Sequence, residues 1–240
     1  MPNTTTRKAT TGVISQPGWW NRTLGQQQTH FAALLKQRGL VATPDGESLD
    51  VLASRLGKQG GVILVTEGTY RFTKTCNLTT SVHLIAESPM TIFETISTMS
   101  EPVITCTADR CVVSGITFRD AATSQPAIKV TGDKAVIRDC YFEDCYQAVK
   151  IDGSSYTSVV GNHVEASRDT DYVIYLAGAS SHCLVSNNRI ASNSSQEIRL
   201  DAFVPIASIV GNVMNSGVVA YSAHSPDVET AGNTGTEIAY

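Results

Sequence analysis

A short pattern returns along this chain every 21 to 26 residues. "PVITCTADRCVVSGITF" (102–118) aligns without a gap on "PAIKVTGDKAVIRDCYF" (126–142). Pro102 meets Pro126, Ile104 meets Ile128, Asp109 meets Asp133 and Phe118 meets Phe142, each pair 24 residues apart. Two neighbouring columns carry the register onward. One runs Gly115, Asp139, Gly161, Asn187, Gly211, Gly232; the next runs Ile116, Cys140, Asn162, Asn188, Asn212, Asn233. The steps are 24, 22, 26, 24 and 21 residues. A further column reads "AIKV" (127–130), "AVKI" (148–151), "VIYL" (173–176), "EIRL" (197–200) and "VVAY" (218–221). Short β-branched runs of period two, bounded by Gly, Asp, Ser and Asn, are strand signals.

A unit this short cannot bury a hydrophobic face alone, so its copies must stack on one another. Two or three short strands per period, with no helix between them, describe one coil of a parallel β-helix. A leucine-rich repeat has a similar length but needs a leucine spacing that is absent. A β-sandwich would show hairpin dipeptides at its turns and would not repeat itself. The expected class is therefore all-β, a single-stranded parallel β-helix. In such a stack, equivalent residues of successive coils lie about 4.8 Å apart. A buried asparagine needs hydrogen-bond partners. Asn162, Asn188, Asn212 and Asn233 are thus expected to form a ladder at one bend, each amide bonding the next; the rival reading has them facing a ligand.

With 240 residues the chain can hold one sizeable domain. Hydrophobic residues make up 42% and charged residues 17%, which suits a soluble folded protein. A net charge of −4 gives no basic footprint, so nucleic acid is not expected as a partner. No apolar run approaches the roughly 18 residues of a membrane span, so no membrane is expected either. The first twenty residues lack an apolar core, so the chain does not read as carrying a secretory signal. Cys76, Cys106, Cys111, Cys140, Cys145 and Cys183 form no C-x-x-C and no zinc spacing with histidine. They read as free core thiols of a protein made in a reducing cytoplasm, with no metal and no cofactor.

Three segments are expected. Residues 1–25 form an extended arm ending in "QPGWWNRTL", whose Trp19 and Trp20 either dock on a partner or fold back on the chain's own cap. Residues 26–60 form a helical cap over the exposed end of the core. One helical stretch there is "QQQTHFAALLKQRGL" (26–40), closed by Gly39. The other is "DGESLDVLASRLGKQGG" (45–61), with Ser48 as N-cap. Residues 61–240 form the β-helix, beginning with the looser coils "GGVILVTEGTYRF" (60–72) and "VHLIAES" (82–88).

The stretch "DG…LASRLGKQGGVILVTEGTYRF" resembles the opening of pectate-lyase-like right-handed β-helices, particularly those of bacteriophage tailspikes and other virion proteins. In that family a capping helix leads to a glycine pair, an apolar strand and a P-x-G-T-Y style turn; here Thr66 stands where proline often sits. The resemblance covers roughly 45–234. It implies a right-handed helix with an N-terminal arm and capping helix, but no particular chemistry, since the superfamily spans lyases, hydrolases, epimerases and inert structural proteins.

Glycoside hydrolysis needs two carboxylates about 5–9.5 Å apart. Arg119, Glu143 and Glu165 share one column just after a strand, and Asp120 and Asp144 share the next. The structural reading makes these turn residues, with Arg119 pairing Glu143. Asp169 and Asp171, beside Arg168, read as a polar loop. Turns of about 4–8 residues are short for the walls of a saccharide groove. The resemblance then implies a non-enzymatic virion protein made in a host cytoplasm. The expected form is a trimeric capsid decoration (cement) protein or small spike, held by its arm to a major capsid or tail protein. Its three copies would pack through the "VIYL" and "VVAY" flank. The alternative is a tailspike-like enzyme, or a binding module, for a host surface polysaccharide, with Glu143, Glu165, Asp120 and Asp144 as the catalytic candidates.

Overall fold

The computed structural model describes residues 39–95, 99–120, 124–165, 172–192, 196–201, 204–221 and 227–239. All belong to one unit of the chain, Arg38–Tyr240. The arm with Trp19 and Trp20, residues 26–38 of the first expected helix, and Asp169 with Asp171 lie outside the described residues.

Every described strand pairing is parallel, and from Gly61 onward the chain visits three stacks in rotation. The first stack is a nine-stranded sheet that starts with Gly39–Ala42, Gly61–Val65, Val82–Ala86, Val112–Ser114 and Val136–Arg138. It continues through Ser158–Val160, Cys183–Ser186, Ile206–Val210 and Asp227–Ala231. The second stack runs from Gly68–Phe72 through Thr91–Thr95, Thr117–Arg119, Tyr141–Glu143, His163–Glu165 and Arg189–Ala191. The third runs from Cys76–Leu78 through Ile104–Cys106, Pro126–Val130, Gln147–Asp152 and Tyr172–Ala177 to Gln196–Leu200. The last two stacks merge into one sheet because the nine-residue strand Val213–Tyr221 turns the corner between them. The final strand, Thr234–Ala239, pairs along it. This is the β-helix that the repeat dictates.

Period-two alternation sends one row from each stack into a shared core. Phe93, Phe118 and Phe142 are fully buried in successive coils. Phe93 meets Phe118 edge-on at 5.6 Å, and Phe118 lies flat on Phe142 at 5.1 Å. Such pairs add about 0.5–1.5 kcal/mol each beyond the area they bury. All six cysteines are free and buried. Burial pushes the Cys140 thiol up to about 12 and that of Cys183 to about 11, so both fill space rather than act as nucleophiles.

The cap is smaller than its sequence pattern. Helix α1 spans Leu49–Arg55 and a 3-10 turn follows at Gly57–Gln59. Leu49, Leu52 and Ala53 are buried, closing the end of the core. Ser48 holds the N-cap position with extended backbone, but its hydroxyl bonds the Asp50 carboxylate instead of a backbone N–H. Gly60 has φ +66°, and a Cβ there would stand 2.0 Å from the Ser81 carbonyl oxygen. Only glycine allows the coil above to come so close.

Residues 39 and 40 correct the first expected helix: Gly39–Ala42 is a strand, paired in parallel with Gly61–Val65. Without it the first stack would begin with a bare row of N–H and C=O groups. The "TEGTY" turn clasps this strand. Tyr70 Oη donates to the Ala42 carbonyl at 2.8 Å, and Thr66 Oγ1 donates to the same oxygen at 3.0 Å.

Candidate functional site

Between the first and second stacks each coil turns sharply. Gly115, Asp139, Gly161, Asn187, Gly211 and Gly232 all take positive φ there, between 55° and 74°. The residue after each of these turns faces inward, and at the last four of the six it is asparagine. Asn162 Nδ2 donates to Asn188 Oδ1 at 3.0 Å, Asn188 Nδ2 to Asn212 Oδ1 at 2.9 Å, and Asn212 Nδ2 to Asn233 Oδ1 at 3.0 Å. Each Nδ2 gives its second proton to a carbonyl, those of Ile137, Val159, Val185 and Ile209 in turn. Each Oδ1 also accepts a backbone N–H from the preceding coil. Asn162, Asn188 and Asn212 are at most 2% exposed, so these amides bind the protein to itself.

The outer face of the second stack carries a charge ladder. Arg71, Glu94, Arg119, Glu143 and Glu165 are register partners in successive coils. Arg71 pairs with Glu94 at 2.7 Å, and Arg119 Nε with Glu143 at 2.6 Å. Glu165 accepts a hydrogen bond from the Tyr141 hydroxyl, and that bond pushes Tyr141 up to about 12. The Tyr141 ring meets His163 edge-on at 5.0 Å. Glu143 and Glu165 are therefore neighbours one coil apart, each already engaged by a different side chain. Asp120 and Asp144 stand at the following turn with φ of 48° and 52°. Their N–H groups bond the carbonyls of Glu143 and Glu165, both at 3.1 Å.

The outer face of the third stack is cationic and aromatic. Lys129, Lys150, Tyr175 and Arg199 occupy equivalent positions in four coils. Lys150 lies 5.5 Å and Arg199 5.8 Å from the centre of the Tyr175 ring, with Arg199 also 5.2 Å from Tyr172. Cations over aromatic faces attract by about 0.5–2 kcal/mol, depending on exposure. Asp152 accepts from Lys129 at 3.0 Å and lies 3.7 Å from Lys150. Burial raises its carboxyl, but the two lysines outweigh that and hold it below the ordinary value. Burial and the nearby Asp201 push Tyr175 up to about 12. At the N-terminal end of this face is a shallow cavity of about 420 Å³, lined by Asn77, Glu101, Thr105, Gln125 and Lys129 among others. A smaller one of about 190 Å³ adjoins the cap, where Lys74 pairs with Asp50 at 2.9 Å.

The cationic row was written in the strands themselves. The third letters of "AIKV", "AVKI", "VIYL" and "EIRL" are K, K, Y and R. Reading those runs for their apolar letters alone passes over it. Among the described residues no group of three or more His, Cys, Asp or Glu is placed to hold a metal. No described helix is long and apolar enough to cross a membrane.

Residues 96–234 match the family described as the right-handed β-helix region, and the chain belongs to it. No curated protein matches the sequence. Among solved structures, the chain is similar to pectate lyase Pel9A at 13% identity and a TM-score of 0.51, covering 77% of this chain and 68% of that one. It is also similar to the pectin methylesterase of Aspergillus niger at 14% identity and a TM-score of 0.50, covering 83% and 86%. ORF18 of Geobacillus virus E2 aligns over 90% of this chain and 63% of its own at 12% identity, with a TM-score of 0.43. For the first two, at such identities, the likeness is one of fold alone.

Proposed function

We propose that the protein is a structural component of a bacteriophage particle: a trimeric capsid decoration protein, or a small spike, anchored by its N-terminal arm. The observation that carries this reading is the use made of the acidic column. Glu143 is engaged by Arg119 and Glu165 by Tyr141, while Asp120 and Asp144 sit in left-handed turns. Carboxylates employed in fastening coil to coil act as struts, and struts suit a rigid particle component. The resemblance of residues 45–72 to the opening of virion β-helices supports the same assignment. Quantitative mass spectrometry of purified particles tests it. Copies in proportion to the major capsid protein are expected for decoration, and a few copies in multiples of three for a spike. Absence from particles overturns it.

A second reading draws on the Lys129, Lys150, Tyr175 and Arg199 face beside its cavity, which suits contact with a surface polysaccharide. If the chain instead cleaves such a polymer on its second stack, incubation releases new reducing ends or unsaturated products, and Glu143→Gln or Glu165→Gln abolishes their release. Saturable binding without product would define a binding role instead.

A further inference from the structure

The outer face of the first stack differs in kind from the other two. The second stack turns Arg71, Glu94, Arg119, Glu143 and Glu165 outward, and the third turns out Lys129, Lys150 and Arg199. The first turns out Val62, Leu64, Ile85, Val112, Val136 and Leu184, all half-buried, with Val41 54% exposed in its edge strand, and Ser114, Ser158, Ser186 and Ser208 interrupt the same columns. The ionisable side chains it turns outward are His83, Arg138, Asp227 and Glu229. The two acids lie on the last strand, and Arg138 leans to within 4.0 Å of Asp139 at the adjoining turn. Burial, helped by Arg138, holds the His83 imidazole below its ordinary pKa.

We propose that this face is where a second copy of the chain packs. Shape is the first argument. Parallel strands in register set the side-chain rows about 4.8 Å apart, and a second copy presents rows of the same spacing. Ridges of one sheet then settle between ridges of the other along the whole stack, with the sheets about 10 Å apart. Size is the second. Nine strands of three to five residues extend the face over eight intervals, about 38 Å, and on average about four residues across make it about 13 Å wide. That is roughly 500 Å² of flat footprint, against the ~800 Å² of accessible surface per partner in a standard stable interface. The inference rests on the self-assembly in the proposal above. It adds a two-fold contact on the first stack, apart from the "VIYL" and "VVAY" flank, where Lys150, Tyr175 and Arg199 point outward.

Sedimentation velocity of the full chain tests it. At micromolar concentration the wild type is expected to run as a dimer, or as a hexamer where the trimer proposed above pairs through this face. The double variant Val136→Lys with Leu184→Lys is expected to keep the β-type circular dichroism and cooperative melting. It should weaken association by at least about 100-fold, because two ammonium groups would be buried against aliphatic rows. Arg71→Gln, on the second stack and 75% exposed, should leave association unchanged. A wild type that stays monomeric up to its solubility limit overturns the proposal, as does an oligomer that the double variant does not loosen. If that variant loses its melting transition, Ser158→Cys on the same face decides. A disulfide between copies under mild oxidation supports the contact, and failure to form one removes it. Association through this face in a chain absent from particles would leave the inference standing without the virion reading. Particle-bound protein indifferent to the double variant would do the reverse.

Discussion

Asn188 sits at the middle of the amide ladder, 1% exposed, with both protons and both lone-pair directions in use. Asn188→Ala would strand the Val159 carbonyl, the Asn162 N–H and one proton of Asn162 Nδ2 in a dry turn. Each orphaned group costs about 1–3 kcal/mol, so a loss of about 3 kcal/mol or more is expected in a denaturant melt. Asn233→Ala, at the half-buried end of the row, should lose about 1 kcal/mol, because water can replace its partners. Equal losses at the two positions would mean that the ladder contributes nothing beyond single contacts. At this scale the sequence was most informative where a polar residue recurred inside apolar runs. Burial without partners is too costly to repeat by accident, so spacing alone pointed to stacking. The engagement of Glu165 by Tyr141 was not legible in that way, since it joins positions two residues out of column across one coil step.

The elements were legible wherever their pattern repeated and obscure where it occurred once. Strands of the regular coils could be read from period two, but Gly39–Ala42 has only four residues and no counterpart in the repeat. Its state is decided by the edge it covers, a tertiary demand invisible to local propensity. Helix α1 shows the same limit from the other side. The amphipathic pattern ran on to Gly61, yet the helix ends at Arg55, where the chain must turn to deliver Gly60 under the Ser81 carbonyl. Its seven residues are too few to be stable alone, so the helix is held by what it buries. Leu52→Asp should therefore remove about 3 kcal/mol or more through an unpaired charge against the core end, and expose the first coil. Hydrogen exchange would report the change first in Gly61–Val65 and Cys76–Leu78. Uniform acceleration along all coils would show instead that the cap and stack unfold as one.

For the whole molecule, the three outer faces carry three different chemistries: alternating charge, cation with aromatic, and aliphatic with serine. The overall composition averages these away, since a net charge of −4 and 17% charged residues describe none of the three faces. Only the coil register, laid out column by column, sorts the residues onto their faces. That is why the fold was readable from the sequence while the candidate binding face was not.

The gapless match between residues 102–118 and 126–142, offset by 24 residues, has a further consequence. Because each coil presents the same three edges to the next, the molecule's length is quantised, and a whole turn is an interchangeable part. Excising residues 103–126 would place Phe93 on Phe142 and Leu84 on Ile137 with every strand still in step. The product should melt cooperatively and be about 4.8 Å shorter. Excising only 103–114 would remove half a turn and leave two stacks without partners, so that chain should show no cooperative transition. A protein built this way changes reach by whole rungs, and a partner that grips one rung could find an equivalent hold on the next.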